Sequence, residues 1–322
     1  MTNPKLDTSQ VSLVTVDDDH DGQRLDNYLL SLLKGVPKTL IYRIIRKGEV
    51  RINKGRAKAD TRVRCADVVR IPPLRVAERG ETPPVSSVLR DLLADAILYE
   101  DDGLIAVNKP CGLAVHGGSG VSLGMIEALR KMRPDHSFLE LVHRLDRDTS
   151  GVILVAKKRS VLTALQRMLA NKEGIKKRYL ALVHGQWPAH IKQVNAPLLR
   201  TERQSGERVV RVDPEGKTSL TRYKLLSHGA HYSLVEAEPV TGRTHQIRVH
   251  CLHQGCIIAG DEKYRDAVQA ATDHKHRVPR LCLHARQLAF RHPTTGESLV
   301  INAPLDDTLA TLFTQVGCTY DV

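Results

Sequence analysis

The sequence predicts an α+β protein in two parts. A small basic domain of two helices and short strands comes first. A larger domain follows, with a mixed, mostly antiparallel β-sheet flanked by helices. Three observations carry this prediction. Residues 22–79 hold 15 Lys and Arg against five Asp and Glu, whereas residues 1–21 are net −4 and the long remainder, 80–322, only +6. Residues 72–95 carry four prolines and little periodicity, as a linker would. From residue 96, short apolar runs alternate irregularly with helical periods, which argues for α+β over regular βαβ units.

The elements follow in order. Leu25, Leu29, Leu32 and Leu33 recur at helical spacing over residues 24–33. After a break at Gly35–Pro37, residues 38–47 form a second helix candidate with Leu40, Ile41, Ile44 and Ile45 as its apolar stripe. Arg43, Arg46 and Lys47 fall on the opposite face, and Gly48 suits the C-cap. Strands are expected at 49–52 and 67–71, joined through the turn Asn53–Lys54–Gly55. These limits set a first domain at 22–73, a linker at 74–95 and a second domain at 96–322. In the second, residues 96–110 give two short strands and a turn, and VILVA and YLALV give two more. Helices are expected at 121–132, 159–171, 244–253 and 306–316, with Thr244 as the N-cap of the third. The stretch 266–280 is polar and basic and reads as a loop, either touching RNA or inserted.

The 322 residues, 41% of them hydrophobic, suffice for two cores. The net charge of +12 points to a polyanionic partner, and its concentration in residues 22–79 points to nucleic acid. No run of about 18 apolar residues occurs, so no membrane span is expected. The first residues lack the apolar core of a secretion signal, and the six cysteines are scattered without a CxxC pair. Together these predict a cytoplasmic protein with reduced thiols.

The chemistry concentrates in His143-Arg-Leu-Asp-Arg-Asp-Thr-Ser-Gly151, just before an apolar strand. Arg144 and Arg147 flank Asp146, and cationic neighbours keep a carboxylate ionised even when partly buried. An ionised, desolvated carboxylate is equipped to act as nucleophile or base. The string HRLDxxTSG resembles the signature of the RluA-type pseudouridine synthases. Further family elements occur in the same order: Asn108-Lys-Pro-Cys-Gly112 with Val115-His116, Lys177-Arg-Tyr-Leu-Ala181, Gly242-Arg-Thr-His-Gln-Ile-Arg-Val-His250, and Leu283-His-Ala285. Upstream, Arg24-Leu-Asp26, Gly48-Glu-Val-Arg-Ile-Asn53 and Ala66-Asp67 resemble the S-four-type RNA-binding domain first described in a ribosomal protein. Ala66 departs from that pattern, which has glycine there. The resemblance spans roughly residues 11 to 316 and lies nearest the branch acting on large-subunit ribosomal RNA.

The resemblance implies a catalytic domain that isomerises chosen uridines of 23S ribosomal RNA, or its large-subunit precursor, to pseudouridine. It implies that Asp146 acts on the extruded nucleotide, that Tyr179 stacks on the uracil, and that Arg248 pairs with Asp146. Arg144 would fill the gap left by the flipped nucleotide. His143, Arg43, Arg46, Lys47 and Arg51 join it as expected RNA contacts. No cofactor and no metal are expected, and the chain is expected to act as a monomer. Alternatives are a synthase acting on transfer RNA or other ribosomal sites, and a non-catalytic RNA-binding assembly factor. A competing cluster, His245, His250, Cys251, His253 and Cys256, has zinc-ligating residue types. Its spacing fits no standard frame and it lacks a second ligand pair.

Overall fold

The computed structural model describes residues 10–33, 36–74, 83–117, 123–202 and 207–320. The chain forms two compact units. One runs up to Pro84 and takes in Pro134–Phe138; the other holds Val85–Arg133 and the chain from Leu139 onward.

In the first unit the order is β1 (Ser12–Thr15), α1 (Leu25–Leu32), α2 (Lys38–Arg46), β2 (Arg51–Ile52), β3 (Gly55–Arg56) and β4 (Val68–Ile71). The strands form an antiparallel sheet in the order β1-β4-β2-β3. Leu25, Tyr28 and Leu29 of α1 and Ile41, Ile44 and Ile45 of α2 bury their apolar sides with Val50, Val69 and Ile71. Leu40, on the expected stripe, is only partly buried. Asp26 lies in this core, 2% exposed. Arg24 holds it through two hydrogen bonds, 3.1 and 2.7 Å, and the Tyr42 hydroxyl adds a third at 3.0 Å. The Arg-Leu-Asp triplet is thus a structural clasp.

Two expectations need correction here. Strand β1 draws chain upstream of residue 22 into the sheet. The turn at Asn53 and Lys54 closes β2 onto β3 and does not connect 49–52 to 67–71. Both turn residues have positive φ, 48° and 68°, as a tight type I′ hairpin requires. Ala66 also sits at positive φ, 68°, so the turn keeps its left-handed shape without the usual glycine. Gly35, in the expected helix break, lies outside the described residues.

The second unit runs α3 (Ser87–Asp95), β5 (Ile97–Glu100), β6 (Leu104–Lys109), α4 (Met125–Met132), β7 (Glu140–Leu141), β8 (Ser150–Ala156), α5 (Arg159–Asn171), β9 (Ile175–His184), β10 (Gln193–Asn195), β11 (Leu198–Glu202), β12 (Arg208–Val212), β13 (Leu220–His228), β14 (Tyr232–Pro239), α6 (Gln246–His253), α7 (Ala267–Lys275), β15 (Leu283–Arg291), β16 (Ser298–Asn302) and α8 (Asp307–Gln315). The main sheet is ordered β10-β13-β14-β9-β15-β8-β6-β5, with β16 beside β15 and β7 beside β8. Its pairings are antiparallel except β15 with β8. All seven residues of β8 are buried, as a central strand covered on both faces requires. Strands β11 and β12 form a separate hairpin.

Two helices occupy stretches read as irregular. Helix α3 lies inside the expected linker, started by Ser86, whose hydroxyl accepts from the Leu89 N–H at 3.2 Å. Residues 75–82 of that linker lie outside the described residues. Helix α7 falls within 266–280. Asp266 and Gln269 cap it reciprocally, at 2.9 and 2.8 Å, and Asp273 on it is 1% exposed. The stretch is therefore a packed helix rather than a loop. The helix expected at 121–132 begins at Met125, and residues 121–122 lie outside the described residues.

Candidate active site

The segment from His143 to Thr149 connects β7 to β8, and buried groups on all sides fix its path. The His143 Nε2 accepts from the Leu154 N–H at 3.3 Å. Burial, with help from the nearby Lys177 charge, pushes the His143 pKa down to about 4, so the ring is a neutral acceptor. The Thr149 N–H donates to the Asp146 carbonyl at 3.2 Å, turning the chain.

Lys109, fully buried, donates to the carbonyls of Pro110, Leu113 and Arg147 at 2.8, 2.9 and 2.8 Å. Burial pulls its pKa down to about 8, yet three carbonyl acceptors are satisfied together only by the ammonium form. The Asn-Lys-Pro element is therefore a clamp on the loop that carries Asp146.

Beyond the loop, β8 enters the sheet parallel to β15. Gly151 has φ +109°, and a Cβ there would lie 2.3 Å from the Ala285 carbonyl oxygen. Only glycine permits this approach. Ser150 Oγ lies 2.9 Å from His284 Nδ1, and His284 Nε2 lies 3.1 Å from the Ala303 carbonyl. Two motifs separated by more than a hundred residues in the chain thus meet as one joint.

The facing wall is the turn into α6. Gln246, 4% exposed, accepts from Thr241 Oγ1 and the Arg243 N–H at 2.7 and 3.0 Å. It donates to Leu220 O and Thr221 Oγ1 at 2.9 and 3.0 Å. The helix N-cap is His245, at φ 52° in the left-handed region, and not Thr244 as expected. Gln246 pins the turn so tightly that the chain enters α6 one residue later.

Arg248 points back from α6. Its guanidinium forks onto Asp261, with Nε–Oδ2 2.7 Å and Nη2–Oδ1 2.6 Å. Its Nη1 lies 3.9 Å from Asp146 Oδ2. The expected pairing with Asp146 is thus the looser of two. Asp261 takes the bidentate fork because it is 1% exposed and needs full compensation, while the Asp146 side chain is 27% exposed. Burial works against the Arg248 charge, but the hydrogen bonds and charge of Asp261, and then Asp146, hold its pKa above the ordinary value.

Tyr264 lies under Arg248, 5.1 Å from guanidinium carbon to ring centroid. His245 Nε2 lies 3.8 Å from Asp146 Oδ2. Tyr179, on β9, completes the wall. Burial, then the Asp146 charge, pushes its pKa up, so its hydroxyl stays protonated. Asp146, Tyr179, His245 and Arg248 line a cavity of about 480 Å³, which also takes in Arg144 and Lys177. Its size suits a small organic group, such pockets spanning about 300–1,000 Å³.

The comparisons with known proteins bear on this geometry. Residues 103–253 match the family model described as RNA pseudouridylate synthase, and residues 23–69 match the S4 domain. The ribosomal large subunit pseudouridine synthase C of Yersinia pestis is 56% identical over 307 residues, 95% of each chain. The protein of that name from Escherichia coli K12 is 55% identical over 310 residues, 95% of this chain and 96% of the other. The chain belongs to the pseudouridine synthase family. Among solved structures, human RNA pseudouridylate synthase domain containing 4 is similar at 28% identity and TM-score 0.59. It covers 71% of this chain and 96% of the other.

In this synthase Asp146, Tyr179, Arg248 and Arg144 converge on one cavity, with Arg144 exposed at its edge. His143 lines it too, with its Nε2 spent on the backbone of β8. Arg43, Arg46, Lys47 and Arg51 do not belong to the cavity; they are exposed side chains of the first unit, on and after α2. Sequence reasoning missed His245 as a neighbour of Asp146, and missed Asp261 and Tyr264 altogether. The only signal for the last two was their place in Gly260-Asp-Glu-Lys-Tyr264, directly after the turn that follows α6. The histidines and cysteines weighed as zinc ligands are dispersed. His250 bonds Thr221 Oγ1 at 2.8 Å and the Ala196 carbonyl at 3.0 Å, and Cys251 is fully buried in the core.

Proposed function

We propose that this synthase converts uridines of 23S ribosomal RNA, or of its large-subunit precursor, to pseudouridine, with Asp146 acting on the nucleotide. The observation that carries the reading is Asp146 itself: a partly exposed carboxylate lining the cavity, with Arg248 and His245 within 4 Å. The reaction breaks the N1–C1′ bond, turns the uracil and joins C5 to C1′; C5 loses a proton and N1 gains one. The carboxylate serves either by attacking C1′ or by taking a proton from C2′, and the Arg248 guanidinium faces it at 3.9 Å in both routes. Tyr179, held protonated, offers a flat face and a hydroxyl to the detached base, which must stay bound until it is rejoined.

The ribosomal substrate is supported by the relatives' shared name and by the exposed cations of the S4 unit. A second cavity of about 450 Å³ shares Lys172 and Lys177 with the first and adds Lys176 and Arg291, which suits the phosphates next to the target. On this reading the chain works as a monomer in the cytoplasm. Among the described residues, no helix is long and apolar enough to cross a membrane. The test presents purified protein with unmodified transcripts of 23S ribosomal RNA and of transfer RNA. Mapping should find pseudouridine at a few positions of the ribosomal transcript. Modification of transfer RNA alone would move the substrate and leave the chemistry in place.

A further inference from the structure

We infer that Tyr264 fixes the tautomer of His245, so that the imidazole presents its Nε2–H to the catalytic carboxylate. The inference rests on the reading of Asp146 as that carboxylate, but its geometry stands apart from it. The Tyr264 hydroxyl oxygen accepts from the Val210 backbone N–H at 3.1 Å and lies 2.7 Å from His245 Nδ1. A phenol has one proton to give. Among the described residues, His245 Nδ1 is the acceptor the hydroxyl has within reach.

Were Nδ1 protonated instead, it and the Val210 N–H would both donate into one oxygen, and the hydroxyl proton of this half-buried side chain would have no partner among the described residues. The economical arrangement has the hydroxyl donating to Nδ1, which places the imidazole proton on Nε2. That nitrogen faces Asp146 Oδ2 at 3.8 Å. The separation is too long for a hydrogen bond in the free protein. It closes with a shift of about 1 Å, the kind of tightening substrate binding brings.

The surroundings keep the ring uncharged. Arg248 and Lys263 face it with positive charge, Asp146 and Asp261 with negative, and Tyr264 on its Nδ1 side is neutral. Burial, and next the Arg248 charge, hold the His245 pKa well below the ordinary histidine value. A neutral donor of fixed direction can bond the carboxylate oxygen that does not react, without adding a second cation that would blunt the base. Tyr264 is then a positioning residue with three attachments: the ring under Arg248, the oxygen on β12, and the proton on His245.

The experiment is long-range ¹H–¹⁵N correlation on full-length protein labelled at histidine, near neutral pH. His245 is assigned by the signals lost in His245→Gln. The wild-type ring should show the Nε2–H tautomer. In Tyr264→Phe, which keeps the ring under Arg248, the tautomers should mix. Single-turnover rate should fall about tenfold, the equivalent of one net hydrogen bond, with RNA affinity unchanged. An Nδ1–H tautomer or an imidazolium in the wild type would overturn the inference, whatever the variant does. So would a Tyr264→Phe protein with both tautomer and rate unchanged. If the tautomer is as inferred while Asp146→Asn still makes pseudouridine, the reading of Asp146 falls and the tautomer assignment stands.

Discussion

Asp146 stood out through the string His143-Arg-Leu-Asp146 with Thr149-Ser-Gly151, which resembles the family signature; two flanking arginines and a turn alone describe an ordinary charged loop. Arg248 was half legible. The sequence gives a cation on a helix, but a buried ion pair with a residue thirteen positions on leaves no periodic trace. The fork onto Asp261 follows from depth. A carboxylate 1% exposed is costly to bury unless a buried cation meets it. Asp261→Asn should therefore leave the Arg248 charge buried with only the looser Asp146 contact. We expect a stability loss of about 3 kcal/mol, typical of breaking a buried pair. Turnover should fall more than RNA affinity, because the released guanidinium swings onto Asp146 and ties up the carboxylate. Denaturant midpoints and single-turnover kinetics check the two effects separately. A variant as stable and as fast as the wild type would show that Arg248 needs no anchor.

The long periodic elements were readable. Helix α5 fills the span its spacing gave, and β8 and β9 appear where the apolar runs lie. The elements that escaped had their signals masked. Four prolines drowned the Ser-x-x-Leu start of α3. The reciprocal cap of α7 sits in a polar stretch whose one buried face depends on Asp273, not on an apolar stripe. The joint between β8 and β15 was invisible, because nothing local says that Ser150 and His284 will touch.

That joint has a pH signature. Burial above all lowers the His284 pKa from 6.5 to about 4. In the window between these values the unfolded chain binds a proton that the folded protein refuses, so stability drops as pH falls. From about pH 7 to about pH 5 the loss from this residue is about 2 kcal/mol. Urea midpoints at the two pH values measure it, and His284→Gln should shrink the difference by that amount. An unchanged difference would mean that His284 accepts a proton in the folded state.

At the scale of the molecule, charge and chemistry are segregated. The basic excess lies in residues 22–79, while Asp146, Tyr179, His245, Arg248 and Asp261 all lie in the second unit. Phosphate binding and isomerisation should therefore separate experimentally. Replacing Arg43, Arg46, Lys47 and Arg51 by Ala in the full-length chain removes exposed charges with little packing cost. The slope of log affinity against log salt should become shallower by about 3, from four lost phosphate contacts. Single-turnover rate at saturating RNA should hold, and an unchanged slope would take these side chains out of the interface.

This division was visible in the sequence because charge counts need no contacts, whereas the wall opposite Asp146 is built by contacts alone. The proposed function turns on the Asp146 carboxylate performing the isomerisation. Release of tritium from ribosomal RNA labelled at uracil C5 measures it most directly, comparing wild type with Asp146→Asn at equal RNA occupancy. The wild type should release tritium rapidly, and the variant should bind RNA fully but release none above background. Release by Asp146→Asn at the wild-type rate would contradict that role for Asp146.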